Sequence, residues 1–127
     1  MSSVVFDASC LFILIKQEPG VDAVDAIDGD IVMSSVNYAE IVTKLALGGG
    51  SRGTIENILA EYMMTVVPFT ERLAKTAGLL VTHTRRRGLS LGDRACLAVG
   101  MELGLPVITA DRAWGNLDLG VEIRVIR

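Results

Sequence analysis

Short apolar runs alternate with longer amphipathic segments along the whole chain. The runs predict buried strands at residues 4–7, 31–34, 64–67 and 107–109, and a fifth, edge-like strand of alternating polarity at 121–126. Apolar residues at helical spacing predict helices at 8–16, 21–27, 36–47, 54–62, 71–87 and 91–103. Strands separated by helices need crossover connections. The pattern therefore predicts an α/β fold, with a mainly parallel sheet of about five strands and helices on both faces.

Serine and threonine residues stand at the start of three of these helices. Ser35, Thr70 and Ser90 are each predicted to be an N-cap, and Ser90 has an acidic residue three positions later, as in a capping box. A three-glycine run at 48–50 follows a helix and lacks the Gly-Lys-Ser/Thr ending, so it is predicted to be a flexible connection and not a phosphate loop.

Four acidic residues stand at the ends of strands or near the starts of helices. Asp7 ends the first strand and Asp111 follows the fourth, while Glu40 and Asp93 lie in the first turns of two helices. We expect all four to converge at the carboxyl edge of the sheet, where ligands bind in such folds. Packed carboxylates repel one another, and a bound divalent cation with hard oxygen ligands, Mg²⁺ or Mn²⁺, relieves the repulsion. The arrangement predicts metal-assisted chemistry on a phosphate.

Each acid also has an ordinary structural explanation. Asp7, Asp93 and Asp111 all stand where a helix cap is expected, and Glu40 can lie at the surface. Those roles do not require the four acids to meet at one edge, whereas the topology predicts that meeting independently.

Polar neighbours of the acids are candidates for supporting roles. Ser9 and Thr109 can hydrogen-bond the carboxylates or the scissile phosphate. Asn116 and Asp118 are either additional ligands or turn residues. The basic run Arg85–Arg87 is either a solvated helix end or a phosphate-contacting surface. Arg94, turned about 100° from its acidic neighbour on the helix, is expected to pair at the rim or to brace the fold.

Composition narrows the class of protein. The 127 residues are half hydrophobic and are predicted to form one domain, residues 1–127. The net charge of −3 does not indicate a nucleic-acid binder, although the acid cluster contributes to it. No apolar run reaches the roughly 18–20 residues of a membrane span. One histidine and no Cys-x-x-Cys exclude the usual zinc spacings. Cys10 and Cys96 fall in apolar helical patterns, typical of core residues in a reduced, cytoplasmic protein.

Four segments resemble those of a known family. They are VFDAS at residues 5–9, VNYAE at 36–40, SLGDRACLA at 90–98 and LPVITADRAW at 105–114. Their order and separation are similar to those of PIN-domain ribonucleases, specifically the VapC-type toxins of bacterial toxin–antitoxin modules. The resemblance implies an endoribonuclease dependent on Mg²⁺ or Mn²⁺, a homodimer, and inhibition by a cognate antitoxin. It implies a catalytic, metal-binding role for the four acids named above.

Two other functions remain open at this point. The chain can be a PIN-like RNA-processing nuclease that is not a toxin, or an inactive interaction module that holds a structural cation. An aspartyl-phosphate phosphatase is disfavoured because Ser9 replaces the second acid of its Asp-x-Asp.

The antitoxin is expected to fill an apolar surface on the two short helices between residues 8 and 27. Five apolar residues define that surface: Leu11, Phe12, Ile15, Val21 and Val24. Packing of the same residues into the core or a homodimer interface is the alternative.

Overall fold

The computed structural model describes residues 3–126, which form one five-stranded sheet covered by helices on both faces. The strands are β1 (Ser3–Phe6), β2 (Asp30–Ser34), β3 (Thr65–Val67), β4 (Val107–Thr109) and β5 (Ile123–Val125). Their order is β3-β2-β1-β4-β5, and every pairing is parallel. The predicted parallel α/β fold is confirmed, with strands three and five shorter than expected.

Seven α-helices and two 3₁₀ turns are present in the described part of the chain. The helices are α1 (Ala8–Lys16), α2 (Val21–Asp25), α3 (Ser35–Leu47), α4 (Arg52–Ala60), α5 (Glu71–Leu79), α6 (Val81–Thr84) and α7 (Leu91–Leu103), and the 3₁₀ turns are Arg85–Arg87 and Arg112–Trp114. Within residues 3–126, none of these helices has the length and apolar character required to cross a membrane.

Alternating side chains of the central strand divide the core into two layers. Val4 and Phe6 face α1–α4, whereas Val5 faces the layer built from α5, α7 and the buried Trp114. Helix α3 also contacts α7, so the two helices that carry Glu40 and Asp93 are neighbours. Trp114 is fully buried and belongs to the second of these layers.

Helix boundaries differ from the sequence prediction where a neighbouring polar group competes for the cap. Ser34, not Ser35, caps α3, because its Oγ accepts a hydrogen bond from the Val36 N–H at 3.2 Å. Ser35 Oγ instead accepts from the Phe69 N–H at 3.0 Å and so links α3 to the segment after β3. Helix α4 starts at Arg52, two residues earlier than predicted, behind a Ser51 cap. The predicted caps Thr70 and Ser90 are confirmed.

The helix predicted to run from Thr70 to the arginines is divided in the structure. It ends at Leu79, and the chain continues as α6 and a 3₁₀ turn. Buried Leu80 and Leu89 both belong to the apolar layer around Trp114, so the segment must fold back to bury them. Tertiary burial therefore overrides the local helical pattern.

The apolar set on the first two helices is mostly core. Leu11, Phe12 and Val24 are buried, and only Ile15 and Val21 are partly exposed. The prediction of an open surface there is wrong for the three buried residues, because α1 and α2 pack them against the sheet and α3.

Candidate functional site

Asp7 is a buried carboxylate at the carboxyl end of the central strand. It caps α1, and its Oδ1 accepts hydrogen bonds from the Cys10 N–H at 3.1 Å and the Ser9 hydroxyl at 2.6 Å. Its Oδ2 accepts from the Thr109 hydroxyl at 2.6 Å. Burial raises the pKa of Asp7, and these hydrogen bonds lower it in part. Within residues 3–126 Asp7 makes no salt bridge with a cationic side chain.

The same hydroxyls tie the loop after β4 to Asp7. Ser9 Oγ accepts from the Ala110 N–H at 3.1 Å, and Thr109 Oγ1 accepts from the Asp111 N–H at 3.0 Å. Asp111 itself is exposed and caps the following 3₁₀ turn through the Ala113 N–H at 2.9 Å. The predicted hydrogen bonds of Ser9 and Thr109 to a carboxylate are therefore present, and they fix the start of the Asp111 loop.

Glu40 lies against the first turn of α7, where α3 packs on α7. The Asn37 side-chain amide donates to Glu40 Oε1 at 2.8 Å and to the Gly92 carbonyl at 3.0 Å. A Cβ added to Gly92 would lie only 2.6 and 2.7 Å from the two carboxylate oxygens of Glu40. The absence of a side chain at position 92 thus lets the Glu40 carboxylate lie against the backbone directly before Asp93.

Asp93 has the structural role that its position predicts. Its Oδ2 accepts from the Ser90 N–H at 2.8 Å, and its own N–H donates to Ser90 Oγ at 3.2 Å. The capping box uses one carboxylate oxygen, and within residues 3–126 no hydrogen bond is recorded to Oδ1. The predicted cap is confirmed, and it leaves one oxygen of Asp93 for a ligand.

Cys96 lies on α7, which contacts both the central strand β1 and α3. Its thiol is fully buried, and desolvation raises its pKa well above the ordinary value. The negative charges of Asp7, Asp93 and Glu40 raise it further. Asp111 bonds the Thr109 hydroxyl through its backbone N–H, whereas its own carboxylate is exposed and caps the next turn, so the convergence of all four carboxylates stays a prediction. Among residues 3–126, however, no three His, Cys, Asp or Glu side chains are already grouped as a metal site.

Two contributors to the site were missed by sequence reasoning. Asn37 stands one helical turn before Glu40 on α3, and this i,i+3 spacing is the signal that could have found it. Gly92 lies inside a helix, where glycine is unfavourable, which is the signal of a close approach. Asn116 and Asp118 are exposed, and Asn116 has a left-handed backbone with φ +66°. Turn chemistry accounts for Asn116, and a ligand role for either residue stays a prediction.

Arg94 braces the helices beneath the site. Its Nη1 donates to the Ala77 carbonyl of α5 at 3.0 Å. The predicted bracing role is confirmed, because the bond connects the first turn of α7 to α5.

The sequence and fold are similar to those of known proteins. A family model described as the PIN domain matches residues 4–119. Among solved structures, a toxin–antitoxin complex from Klebsiella pneumoniae is 17% identical, with a TM-score of 0.73 and coverage of 94% of this chain and 99% of that one. VapC20 from Mycobacterium tuberculosis, a sarcin-ricin loop cleaving toxin, is 18% identical, with a TM-score of 0.72 and the same coverage.

A third structure extends over the full length of the chain. VapBC-5 from Mycobacterium tuberculosis is 24% identical, with a TM-score of 0.64 and coverage of 100% and 99%. At these identities the likeness shows the fold alone. No curated protein sequence matches the chain. Because the family model spans most of the residues, the chain belongs to the PIN-domain family.

Proposed function

We propose that the chain is the toxin of a toxin–antitoxin pair and that it cleaves RNA with Mg²⁺ or Mn²⁺ held by carboxylates. The observation that carries the proposal is the buried Asp7, which has no cationic partner in the described residues. It lies at the carboxyl edge of a PIN fold, beside the strand that α7 contacts. Solved structures of similar fold include a toxin–antitoxin complex and a toxin described as cleaving the sarcin-ricin loop. Cys10 and Cys96 are both buried, as expected of core thiols in a cytoplasmic protein.

The residues at this edge fit a hard divalent cation. Asp7 is buried, and a buried carboxylate without a cation is costly. The side-chain oxygen of Asn37, also buried, has no hydrogen-bond partner. The four acids and Asn37 offer oxygen ligands, which suit Mg²⁺ and Mn²⁺.

Each residue has a defined task in the proposed reaction. Asp7 and Asp93 hold the ion, and Glu40 and Asp111 complete the set directly or through water. Ser9, Thr109 and Asn37 hold the carboxylates in place through the hydrogen bonds described above. When bound, the ion supplies an activated water and neutralises charge on the phosphodiester under attack.

Divalent cations are expected to control both cleavage and stability. Purified protein should cleave a structured RNA with Mg²⁺ or Mn²⁺ and stop when the ions are chelated. An ion present at 100 times its Kd stabilises the folded state by about 2.7 kcal/mol, enough to raise Tm by several degrees. Calcium should raise Tm yet support turnover poorly. Cleavage that persists in chelator, or a Tm unmoved by Mn²⁺ at pH 7, would contradict the proposal.

The antitoxin is proposed to occupy the groove between α3 and α4. This groove has a volume of about 550 Å³ and is lined by apolar Tyr38, Val42, Ile55 and Leu59. A second depression continues it past the highly exposed Met63. An apolar peptide segment fits such a groove. The groove replaces the surface expected on α1 and α2, whose apolar side chains are mostly core.

A charge placed in the groove is expected to weaken antitoxin binding and spare cleavage. Ala46 lines the groove and is exposed, so Ala46→Glu should fold and yet bury a carboxylate on binding. We expect the Kd for the cognate antitoxin to rise roughly 10-fold or more. The matched control is Ala23→Glu, on the exposed face of α2.

The same pair of variants separates this groove from a homodimer interface. Light scattering on each variant gives the oligomeric state, since the chain is also proposed to form a homodimer. If Ala46→Glu produces a monomer that binds the antitoxin as tightly as the parent, the groove is a dimer interface. If Ala23→Glu is the variant that loses the antitoxin, the partner docks on α2.

A further inference from the structure

The arginine run lies on a rigid turn that directs it outward. Leu80, Thr84 and Leu89 are buried, and the Thr84 hydroxyl donates to the Leu80 carbonyl at 3.0 Å. Arg85–Arg87 between them are exposed. Gly88, with φ +68°, closes the turn by donating its N–H to the Arg85 carbonyl at 3.2 Å. The buried residues therefore fix the backbone from which the three arginines project.

Arg87 fastens this turn to the loop that begins at Asp111. Its Nη1 donates to the Ala113 carbonyl at 3.3 Å and also to the Gly115 carbonyl. Asp111 caps the same 3₁₀ turn. Ser90, which caps the helix of Asp93, follows the arginines after only two residues. The backbone of Arg85 and Arg86 is thus anchored, through Arg87, to the 3₁₀ turn that Asp111 caps.

Arg85 and Arg86 carry charge that no protein group neutralises in the described structure. Neither has a hydrogen bond or ion pair within residues 3–126, whereas other cationic side chains at the surface do pair: Arg52, Arg72, Lys75 and Arg124. Stabilisation of a helix end does not account for the two arginines, because α6 has only four residues and its dipole is small. A protein with a net charge of −3 has no general excess of basic residues to place here.

We infer that Arg85 and Arg86 bind phosphates of the RNA strand next to the site of cleavage. Guanidinium groups bind phosphate through paired hydrogen bonds, and Arg87 positions them without contacting the strand. The inference rests on the proposed nuclease function. It assigns a basic surface on the Asp111 side of the site, where the acids alone would repel RNA. These contacts read the phosphate backbone and not the bases, so we expect the binding to be independent of RNA sequence.

The test measures RNA binding separately from cleavage. A labelled single-stranded RNA of about 20 nucleotides is titrated with protein at several salt concentrations, with chelator present to prevent cleavage. The Kd of the parent protein is compared with that of the Arg85→Gln/Arg86→Gln variant. Two lost phosphate contacts should lower the slope of log affinity against log salt by about 1.4 and raise Kd at 0.1 M salt roughly 25-fold. The control, Lys75→Gln/Arg124→Gln, removes two exposed charges elsewhere and should change Kd by less than about 3-fold.

Several outcomes decide the matter. An unchanged salt slope, or a loss no larger than in the control, overturns the inference provided that Tm shows the variant folded. Reduced affinity for polyglutamate with RNA affinity intact would assign the arginines to an acidic polypeptide and overturn it as well. A protein that binds RNA through these arginines but never cleaves it with Mn²⁺ would refute the nuclease proposal and leave the arginine site standing.

Discussion

Replacing Asp7 with asparagine is expected to lower metal-dependent RNA cleavage at least about 100-fold and at the same time to raise the Tm of the metal-free protein. Outer partners of metal ligands already contribute 10- to 100-fold, and a direct ligand contributes more. The gain in Tm follows from burial, which makes the ionised carboxylate of Asp7 unfavourable in the folded protein. An amide keeps an oxygen for the Cys10 N–H and carries no charge.

The pH dependence of this gain has a definite sign. The pKa of Asp7 is raised in the folded state, so its contribution to stability is fully present below the ordinary value of 3.8 and is lost as pH rises through the raised pKa. The Tm advantage of Asp7→Asn should therefore be large at pH 7 and shrink as the pH falls toward 3.8. Mn²⁺ should raise the Tm of the parent and not that of the variant.

A matched control shows whether the effect belongs to the site. Asp30→Asn removes an exposed carboxylate from the first residue of β2, at the opposite end of the sheet. It should change neither cleavage nor the response to Mn²⁺. Parental cleavage by a folded Asp7→Asn protein would remove Asp7 from the mechanism, and a lower Tm at pH 7 would mean that its three hydrogen bonds outweigh the burial of its charge.

Features set by near neighbours in sequence were predictable, and features set by distant contacts were not. Asp7, Thr70 and Ser90 cap helices as expected, because a cap depends on residues two or three positions away. The strands at 4–7 and 107–109 were predicted correctly, because a strand buried on both faces of a parallel sheet is a short, nearly continuous apolar run. The division of the helix after Leu79 was missed, since it depends on burial of Leu80 and Leu89 against Trp114.

The candidate site shows the same division. Sequence alone placed Asp7 and Asp111 at strand ends, and parallel pairing put both ends at one edge. It did not reveal that Asn37 reaches across 55 positions to the Gly92 carbonyl, or that Glu40 lies against that glycine. Those contacts depend on how α3 crosses α7, which no local pattern specifies. The apolar groove was likewise expected on the wrong helices, because periodicity does not tell which apolar face another element covers.

Gly92→Ala is expected to reduce cleavage roughly 100-fold while leaving the fold intact. The new Cβ would lie 2.6–2.8 Å from the carboxylate of Glu40, so that carboxylate must move by on the order of 1 Å, and a displacement of this size in a reacting site can lower a rate about 100-fold. The fold should tolerate the change because the displaced atoms end a flexible side chain. Alanine also favours a helix over glycine by about 1 kcal/mol.

Two other glycines give the contrast. In Gly78→Ala, on α5, the added Cβ meets nothing within 4 Å, so cleavage should be unchanged and Tm slightly higher. In Gly100→Ala, on α7, it would collide with Val107 and approach the Leu105 carbonyl at 3.2 Å. Because that side chain is packed in the core, Tm should fall, with a loss of about 1–3 kcal/mol. Cleavage rate and Tm are measured on all three variants. A lower rate with an unchanged Tm indicates displacement of the Glu40 carboxylate, whereas a lower Tm indicates overpacking of the core.

A double-mutant cycle identifies Glu40 as the group through which Gly92 acts. If the alanine works only by moving that carboxylate, Glu40→Gln and Gly92→Ala should each lower the rate, and the double variant should be little slower than Glu40→Gln alone. Full additivity would show that the alanine disturbs Asp93 or the Ser90 cap instead. Parental cleavage by a folded Gly92→Ala protein would show that the reaction does not need Glu40 where α3 and α7 hold it.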